Sequence, residues 1–325
     1  MSKVRSLLNW TVLAGLLVAL GWVILNQQPL LDKWVVSKYQ ASPAIAALAD
    51  NSGMSDKGRF YFYLADPVLE SPEKFNSDCQ RLEQGNPVLG CYRPDINQIF
   101  IYDVKNPELD GSKEVTSAHE MLHVAYSRLS KTEKNDLEVL LEQAYSKNKT
   151  PELEQRMDYY NTYQPGSRSN ELHSILGTEF VDLGDELEKY YGQYFVNRQA
   201  VVDNHNKYSQ KFKNITNELD SLSQELASLK IEIDNLSSRY TSEVTRFNQL
   251  ANAFNQKANS GEFSSRQEFN SERGSLMVEQ QALEQLRQEL MDKIGVYNQK
   301  ADRMNELGWH LDKLNNSLDS LKAVD

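Results

Sequence analysis

The N-terminal part of the chain is apolar at nearly every position. No charged residue occurs between Arg5 and Asp32, and residues 7–25 are almost wholly apolar. A helix needs about 20 such residues to cross a bilayer, so this pattern predicts a transmembrane anchor. Lys3 and Arg5 precede it and favour a cytoplasmic N-terminus. A cleaved signal peptide is one alternative, although no small-residue cleavage site follows the segment, and a buried core helix is another.

The central part of the chain mixes strand-like and helical patterns. Residues 59–64, RFYFYL, predict a strand. Two further strand patterns flank the turn RPDIN, at residues 88–92 and 98–104, and predict a β-hairpin. Helical spacing of apolar residues predicts a short helix at residues 43–50 and four later helices, at about 113–129, 132–146, 151–160 and from 170 onward.

Aromatic and aliphatic residues recur at alternating steps of three and four in the C-terminal part of the chain. One series runs from Tyr208 to Phe254 and a second from Leu276 to Leu318, with a polar interruption around Gly261. This heptad spacing is typical of coiled coils. Two series of similar length joined by a short turn predict an antiparallel helical hairpin. A parallel dimer of one long helix is the alternative.

Net charge limits the classes of partner. The chain has 46 Asp and Glu against 35 Lys and Arg, a formal net charge of -11, and no basic run. Nucleic-acid binders cluster Lys and Arg to neutralise phosphates. The sequence therefore predicts no nucleic-acid partner.

The two cysteines of the chain, Cys79 and Cys91, enclose a short polar segment. A pair cannot supply the CxxC motifs of a cysteine-based zinc site. In the oxidising compartment that the predicted anchor implies, a disulfide between them is expected. Two unpaired buried thiols are the alternative.

The motif HEMLH, residues 119–123, carries the candidate chemistry. His119 and His123 are four residues apart, so both imidazoles project from one face of a helix. That spacing lets two ring nitrogens bind one Zn²⁺. Glu120 lies beside the metal, where it can take a proton from the attacking water and pass it to the leaving amine. Two structural histidines on an amphipathic helix are the alternative.

A second motif, Asn170-Glu171 in SNELHSILGTEF, lies on the helix that begins near residue 170. Together with HEMLH it resembles the gluzincin group of zinc peptidases, whose third ligand is a glutamate on a later helix, often preceded by asparagine. The resemblance implies that Glu171 is the third zinc ligand. His173 and Glu179 are the other candidates.

Two other family features are absent from the sequence. Metzincins have a third ligand histidine shortly after the motif, but Tyr126 and Leu129 occupy the corresponding positions. Gluzincins often have an aspartate a few residues after the ligand glutamate, which orients the first histidine. Ile175 stands there in this chain, so Asp182 or Glu179 is left for that role.

A hydrolytic site also needs a donor to the oxyanion and a place for the substrate chain. The donor candidates near the ligand helix, among which the sequence does not choose, are Tyr159, Tyr160, Tyr163 and His173. The strand at 98–104 precedes the zinc helix, and the resemblance implies an edge strand to which an extended substrate adds. An internal strand without substrate contact is the alternative.

The predicted fold class is α+β: a transmembrane anchor at residues 1–30, a zincin-like metallopeptidase domain with a small sheet and active-site helices at 31–200, and an antiparallel coiled-coil hairpin at 201–325. The predicted function is that of a membrane-anchored, extracytoplasmic zinc metallopeptidase that hydrolyses polypeptide in the cell envelope. The coiled coil offers a surface to a protein partner. The alternative is a non-catalytic envelope scaffold with a degenerate zincin domain.

Overall fold

The computed structural model of the protein describes Gly21, residues 27–79 and residues 87–324. By their contacts these residues form two compact units. The first unit holds the described residues up to Gln210 together with those from Leu314 onward, and the second holds Lys211–Lys313.

The first unit consists of helices around a small sheet. Its elements before the metal-binding motif are α1 (Gln27–Lys38), α2 (Pro43–Asn51), α3 (Asp56–Leu64), β1 (Val68–Glu70), α4 (Pro72–Asp78), β2 (Gly90–Arg93) and β3 (Gln98–Tyr102). The elements that follow are α5 (Ser112–Ser127), α6 (Lys131–Asn148), α7 (Pro151–Tyr163), α8 (Arg168–Glu179), α9 (Asp185–Tyr191), and the ends of two long helices, α10 (Arg198–Ser260) and α11 (Arg266–Leu318).

The α+β class predicted from the sequence is wrong, because the described residues are mainly helical and form one three-stranded sheet. The error begins at residues 59–64, which belong to helix α3. The side chain of Ser55 accepts a hydrogen bond from the backbone N–H of Gly58 and caps this helix. Phe62 and Leu64 are both buried. A short, mostly apolar run does not distinguish helix from strand by periodicity, and the Ser55 cap favours the helix.

The sheet has the strand order β1-β3-β2. β1 pairs with β3 in parallel, and β2 pairs with β3 antiparallel, with Cys91 opposite Phe100. The predicted hairpin of β2 and β3 is therefore confirmed. Ile99 and Ile101 of β3 are fully buried, whereas every residue of β2 is partly exposed. β2 is thus an open edge of the sheet.

Helices α5 and α8 pack closely in the core of the first unit. Met121 and Leu122 of α5 and Ile175 of α8 are fully buried. Gly177 permits the close approach, since a Cβ atom there would lie 2.6 Å from a methyl carbon of Leu122 and 2.7 Å from the ring of Tyr191. This packing fixes the first turn of α8 relative to the HEMLH motif on α5.

The second unit contains the remaining parts of α10 and α11, which pair antiparallel. α10 ends at Ser260, and Gly261 follows with φ of 73°, the left-handed conformation that glycine adopts readily. The ion pairs between the two helices show the antiparallel order, because residue numbers fall along α10 as they rise along α11. These pairs are Arg246–Glu279, Glu232–Lys293 and Glu225–Lys300.

The prediction of a single-pass membrane protein with an extracytoplasmic domain is corrected. Among the residues that the structure describes, no helix combines the length and apolar character needed to cross a bilayer. The predicted anchor at residues 7–25 lies, apart from Gly21, outside the described residues.

The predicted disulfide is present between Cys79 and Cys91, whose Cα atoms are 6.1 Å apart. Cys79 directly follows α4, and Cys91 lies in β2. The bridge therefore ties the end of a helix to the open edge strand of the sheet.

Candidate metal centre

Two histidines and a glutamate come together from α5 and α8. His119 and His123 lie one turn apart on α5, and their ring centroids are 4.8 Å apart. Glu171, in the first turn of α8, has Oε2 3.9 Å from Nε2 of His119 and 3.8 Å from Nε2 of His123. One ligand atom of each residue lies within 4.8 Å of the others. In the described part of the chain, these three residues form a group that could hold a metal ion.

The protein environment moves the pKa values of the two histidines in opposite directions. Burial lowers the pKa of His119, and the nearby charges of His123 and Arg156 lower it further. Burial also lowers the pKa of His123, but the carboxylates of Glu171 and Glu120 outweigh this and raise it overall. Because metals bind deprotonated imidazole, a proton competes with a metal ion at His123.

Ser174 orients the ring of His123. Its Oγ lies 3.1 Å from Nδ1 of His123 and donates a hydrogen bond to the backbone oxygen of Asn170 at 3.2 Å. The serine hydroxyl has one proton, so it accepts its second hydrogen bond from Nδ1–H of the histidine. In the neutral tautomer with the proton on Nδ1, Nε2 of His123 is free to bind a metal ion and lies 3.8 Å from Oε2 of Glu171.

The other residues considered from the sequence as ligands or orienting groups make different contacts. Nη1 and Nη2 of Arg156 donate to the two carboxylate oxygens of Glu179, at 2.7 and 2.9 Å. The side chain of Asp182 is exposed. His173 is fully buried, with Nε2 3.1 Å from the hydroxyl of Tyr190. Neither His173 nor Glu179 therefore joins the ligand cluster.

Glu120 is buried beside the cluster, with 5% of its surface exposed. Burial raises the pKa of Glu120 to about 7, against the lowering effects of His123 and of a hydrogen bond from the backbone N–H of Tyr92. A carboxyl group with a pKa near 7 can both accept and return a proton at neutral pH.

Gly90 allows β2 to lie against Glu120. A Cβ atom at position 90 would be 3.0 Å from Cγ and 3.1 Å from Oε1 of Glu120, and closer still to the methyl group of Thr116. Any side chain at this position would have to push the strand or the glutamate aside. The absence of a side chain therefore permits this close approach of the strand to Glu120.

The edge strand beside the site is β2, not the strand at 98–104 predicted from the sequence. That strand, β3, is paired on both sides because β1 adds to its second edge. The backbone oxygen of Leu89 accepts from Tyr102 of β3. Since backbone groups alternate along a strand, Gly90 and Tyr92 direct their N–H and C=O groups to the open side, where Glu120 lies.

The metal-ligand cluster opens into a cavity of about 700 Å³. Tyr160, one of the candidate oxyanion donors, lines this cavity. Tyr163 is 64% exposed, and Tyr159 packs against it at 4.6 Å between ring centroids.

Two cavity residues, Arg156 of α7 and Tyr208 of α10, were not identified from the sequence. Tyr208 follows the heptad spacing and so was assigned to the coiled coil. Arg156 lies on an amphipathic helix, and no motif distinguishes it from a surface arginine.

Comparisons of the chain with protein-family models, with curated proteins and with solved structures found no match.

Proposed function

We propose that the protein is a zinc-dependent metallopeptidase, with His119, His123 and Glu171 as ligands and Glu120 as general base. The observation that carries the proposal is the convergence of three ligand atoms from two helices beside a buried glutamate. A purely structural zinc site needs no such glutamate and normally fills all four positions with protein ligands.

The donor set fits zinc. Two imidazole nitrogens and one carboxylate oxygen are typical ligands of a catalytic zinc ion. Ligands about 2.0–2.1 Å from a tetrahedral ion lie about 3.4 Å from one another. The distances from Oε2 of Glu171 to the two Nε2 atoms, 3.9 and 3.8 Å, are slightly longer than this value, and all three ligand atoms lie within 4.8 Å of one another. Three protein ligands leave one position open for water or substrate.

The chemistry divides between the metal and the protein. Zinc bound there would supply a Lewis acid that polarises the scissile carbonyl and lowers the pKa of water. Glu120, buried beside the ligands, accepts the proton of the attacking water and returns it to the leaving nitrogen. Ser174 holds the proton on Nδ1 of His123, so Nε2 remains available as a ligand.

An extended polypeptide is the substrate class that the open edge of β2 fits best. The N–H and C=O groups of Gly90 and the C=O group of Tyr92 can pair with a substrate backbone as a further strand would, while the N–H of Tyr92 is engaged by Glu120. That pairing would run the substrate chain past Glu120, because the N–H of Tyr92 already contacts its carboxylate. Main-chain pairing is independent of the substrate side chains.

The proposal is tested with zinc-loaded wild type and Glu120→Gln incubated with a mixed peptide library. Glutamine keeps the shape of the side chain and removes the base. Removing a general base costs about 10²–10⁴-fold in rate. We expect the variant to cleave the peptides more slowly than wild type by that factor. Elemental analysis should find one zinc ion in each protein.

Two outcomes would contradict this assignment. Equal cleavage by the two proteins would show that Glu120 is not the base. Zinc retention without cleavage by either protein would favour a non-catalytic scaffold.

A further inference from the structure

One wall of the metal-site cavity carries a positive charge that the proposed mechanism does not use. Arg156, on α7, lines the same cavity as His119, His123 and Glu171. Helix α7 directly precedes α8, which carries Glu171. The Arg156 side chain is 37% exposed. The residue is therefore within reach of a ligand that occupies the cavity.

Glu179 holds this guanidinium in one orientation. Nη1 donates to Oε2 of Glu179 at 2.7 Å and Nη2 donates to Oε1 at 2.9 Å. The carboxylate side chain is only 12% exposed, and Nε2 of His205 lies 3.9 Å from it. The arginine is thus fixed before any ligand arrives, which reduces the entropy cost of binding.

The ion pair leaves part of the guanidinium available. Arginine has five N–H donors, and the end-on pairing with Glu179 engages one on each terminal nitrogen. The side of the fork that carries Nε–H remains suited to a second bidentate carboxylate. Tyr160 and Tyr208 line the cavity beside it, and such aromatic surroundings strengthen a charged hydrogen bond by limiting access of water.

We propose that Arg156 forms a carboxylate subsite, which binds a carboxylate of the peptide substrate close to the scissile bond. This inference rests on the proposed peptidase function and adds a preference among peptides. The carboxylate comes either from the free C-terminus, which would make the enzyme a carboxypeptidase, or from an Asp or Glu side chain. Pairing with Glu179 neutralises the arginine at long range, so the preference depends on direct hydrogen bonds.

The experiment measures binding, not turnover, in the zinc-loaded full-length chain. The probes are short peptides with an N-terminal succinyl hydroxamate, which binds zinc. One pair ends in Ala-Ala as the free acid or as the amide, and a second pair ends in Ala-Asp-amide or Ala-Asn-amide. Titration calorimetry gives the affinity ratio within each pair, and comparison of the two pairs identifies the source of the carboxylate.

Two double variants distinguish the subsite from general effects of charge and folding. Arg156→Gln with Glu179→Gln removes the subsite without leaving a buried charge unpaired. Arg168→Gln with Glu142→Gln is the matched control, because this bidentate pair, at 2.6 and 3.0 Å, is not among the residues that line the cavity. Thermal unfolding and zinc content are measured on both.

We expect the acidic probe of at least one pair to bind wild type and the control about tenfold more tightly than its neutral partner. The ratio should fall to near one in the Arg156 and Glu179 double variant. Equal binding within both pairs, or a preference that survives in that variant, would overturn the subsite and leave the metal site intact. Absence of zinc-dependent binding by every probe would instead refute the metal site and the proposed function.

Discussion

The metal-site cavity of the first unit and the helical hairpin of the second unit accommodate charge in different ways. In the first unit, Glu179 is largely buried against Arg156, with 12% of its side chain exposed. In the second unit, ion pairs between α10 and α11 are open to water on both sides, as in Lys300–Glu225, where the side chains are 33% and 45% exposed. Exposed pairs contribute little to stability, whereas breaking a buried pair leaves a charge without compensation.

This difference reflects how often each contact is repeated. Along the helical hairpin, similar apolar contacts and ion pairs recur every few residues, so the loss of one leaves many. Around the metal site each contact occurs once, as does the contact between Ser174 and Nδ1 of His123. Single substitutions of polar groups should therefore have large effects around the metal site and small effects along the hairpin.

The largest effect is expected from Glu171→Ala, which removes one of three metal ligands. Replacing residues that only orient ligands typically lowers metal affinity 10–100-fold. Loss of Glu171 should exceed that range, and Ser174→Ala, which removes the partner of His123, should lie within it. Competition with a chelating dye measures both zinc affinities. A smaller loss for Glu171→Ala than for Ser174→Ala would exclude Glu171 as a ligand.

The second comparison uses one substitution, glycine to alanine, in each unit. At Gly90 the new Cβ would lie 3.0 Å from Cγ of Glu120, so the base and the strand must separate. A displacement of about 1 Å can cost on the order of 10²-fold in rate, and we expect a loss of kcat/KM of that size with zinc retained.

Gly274 of α11 is the matched control for Gly90. It is exposed, and a Cβ there would meet no atom within 4 Å. Alanine should raise stability by up to about 1 kcal/mol through helix propensity and leave peptide hydrolysis unchanged. Equal kinetic effects at the two glycines would contradict the positioning role of Gly90.

A third effect concerns the pH dependence of stability. Burial raises the pKa of Glu179, but the Arg156 guanidinium outweighs it and holds the pKa below its ordinary value of 4.5. The unfolded chain then binds a proton more readily than the folded one. The stabilisation is fully present above about pH 4.5 and is lost as the pH falls through the folded pKa.

Glu179→Gln should therefore lower the free energy of unfolding at neutral pH. We expect a decrease of about 2 kcal/mol. This lies between the losses typical of exposed and of buried ion pairs, because the Arg156 side chain is partly exposed. Urea titrations of metal-free protein at pH 7 and pH 3.5 measure it. The difference between wild type and variant should shrink at the lower pH, and a constant difference would show that the charge of Glu179 is not its cause.

The smallest effect is expected in the second unit. Lys300→Ala removes the partner of Glu225, but both side chains are exposed and the pair is one of several along the helices. The midpoint of thermal unfolding should change within experimental error, and any change should disappear in 1 M salt. A large loss of stability would show that the hairpin depends on individual pairs as the first unit does.

Much of the local structure could be predicted because it depends on neighbouring residues. The four-residue spacing of His119 and His123 places both on one face of a helix whatever the fold. The β2–β3 hairpin and the bridge between Cys79 and Cys91 also involve segments close in sequence. In contrast, the strand assigned to residues 59–64 was wrong because a short apolar run carries no reliable period.

The sequence by itself determined the histidine pair of α5, the glutamate beside it and the long heptad series, because helical periodicity fixes relations over three to seven residues. Only the tertiary structure decided that Glu171 reaches both histidines while Glu179 pairs with Arg156. It also decided that β2 is the open edge, since this depended on β1 pairing with the far side of β3. Such relations join segments distant in sequence, and packing of whole elements, not local periodicity, determines them.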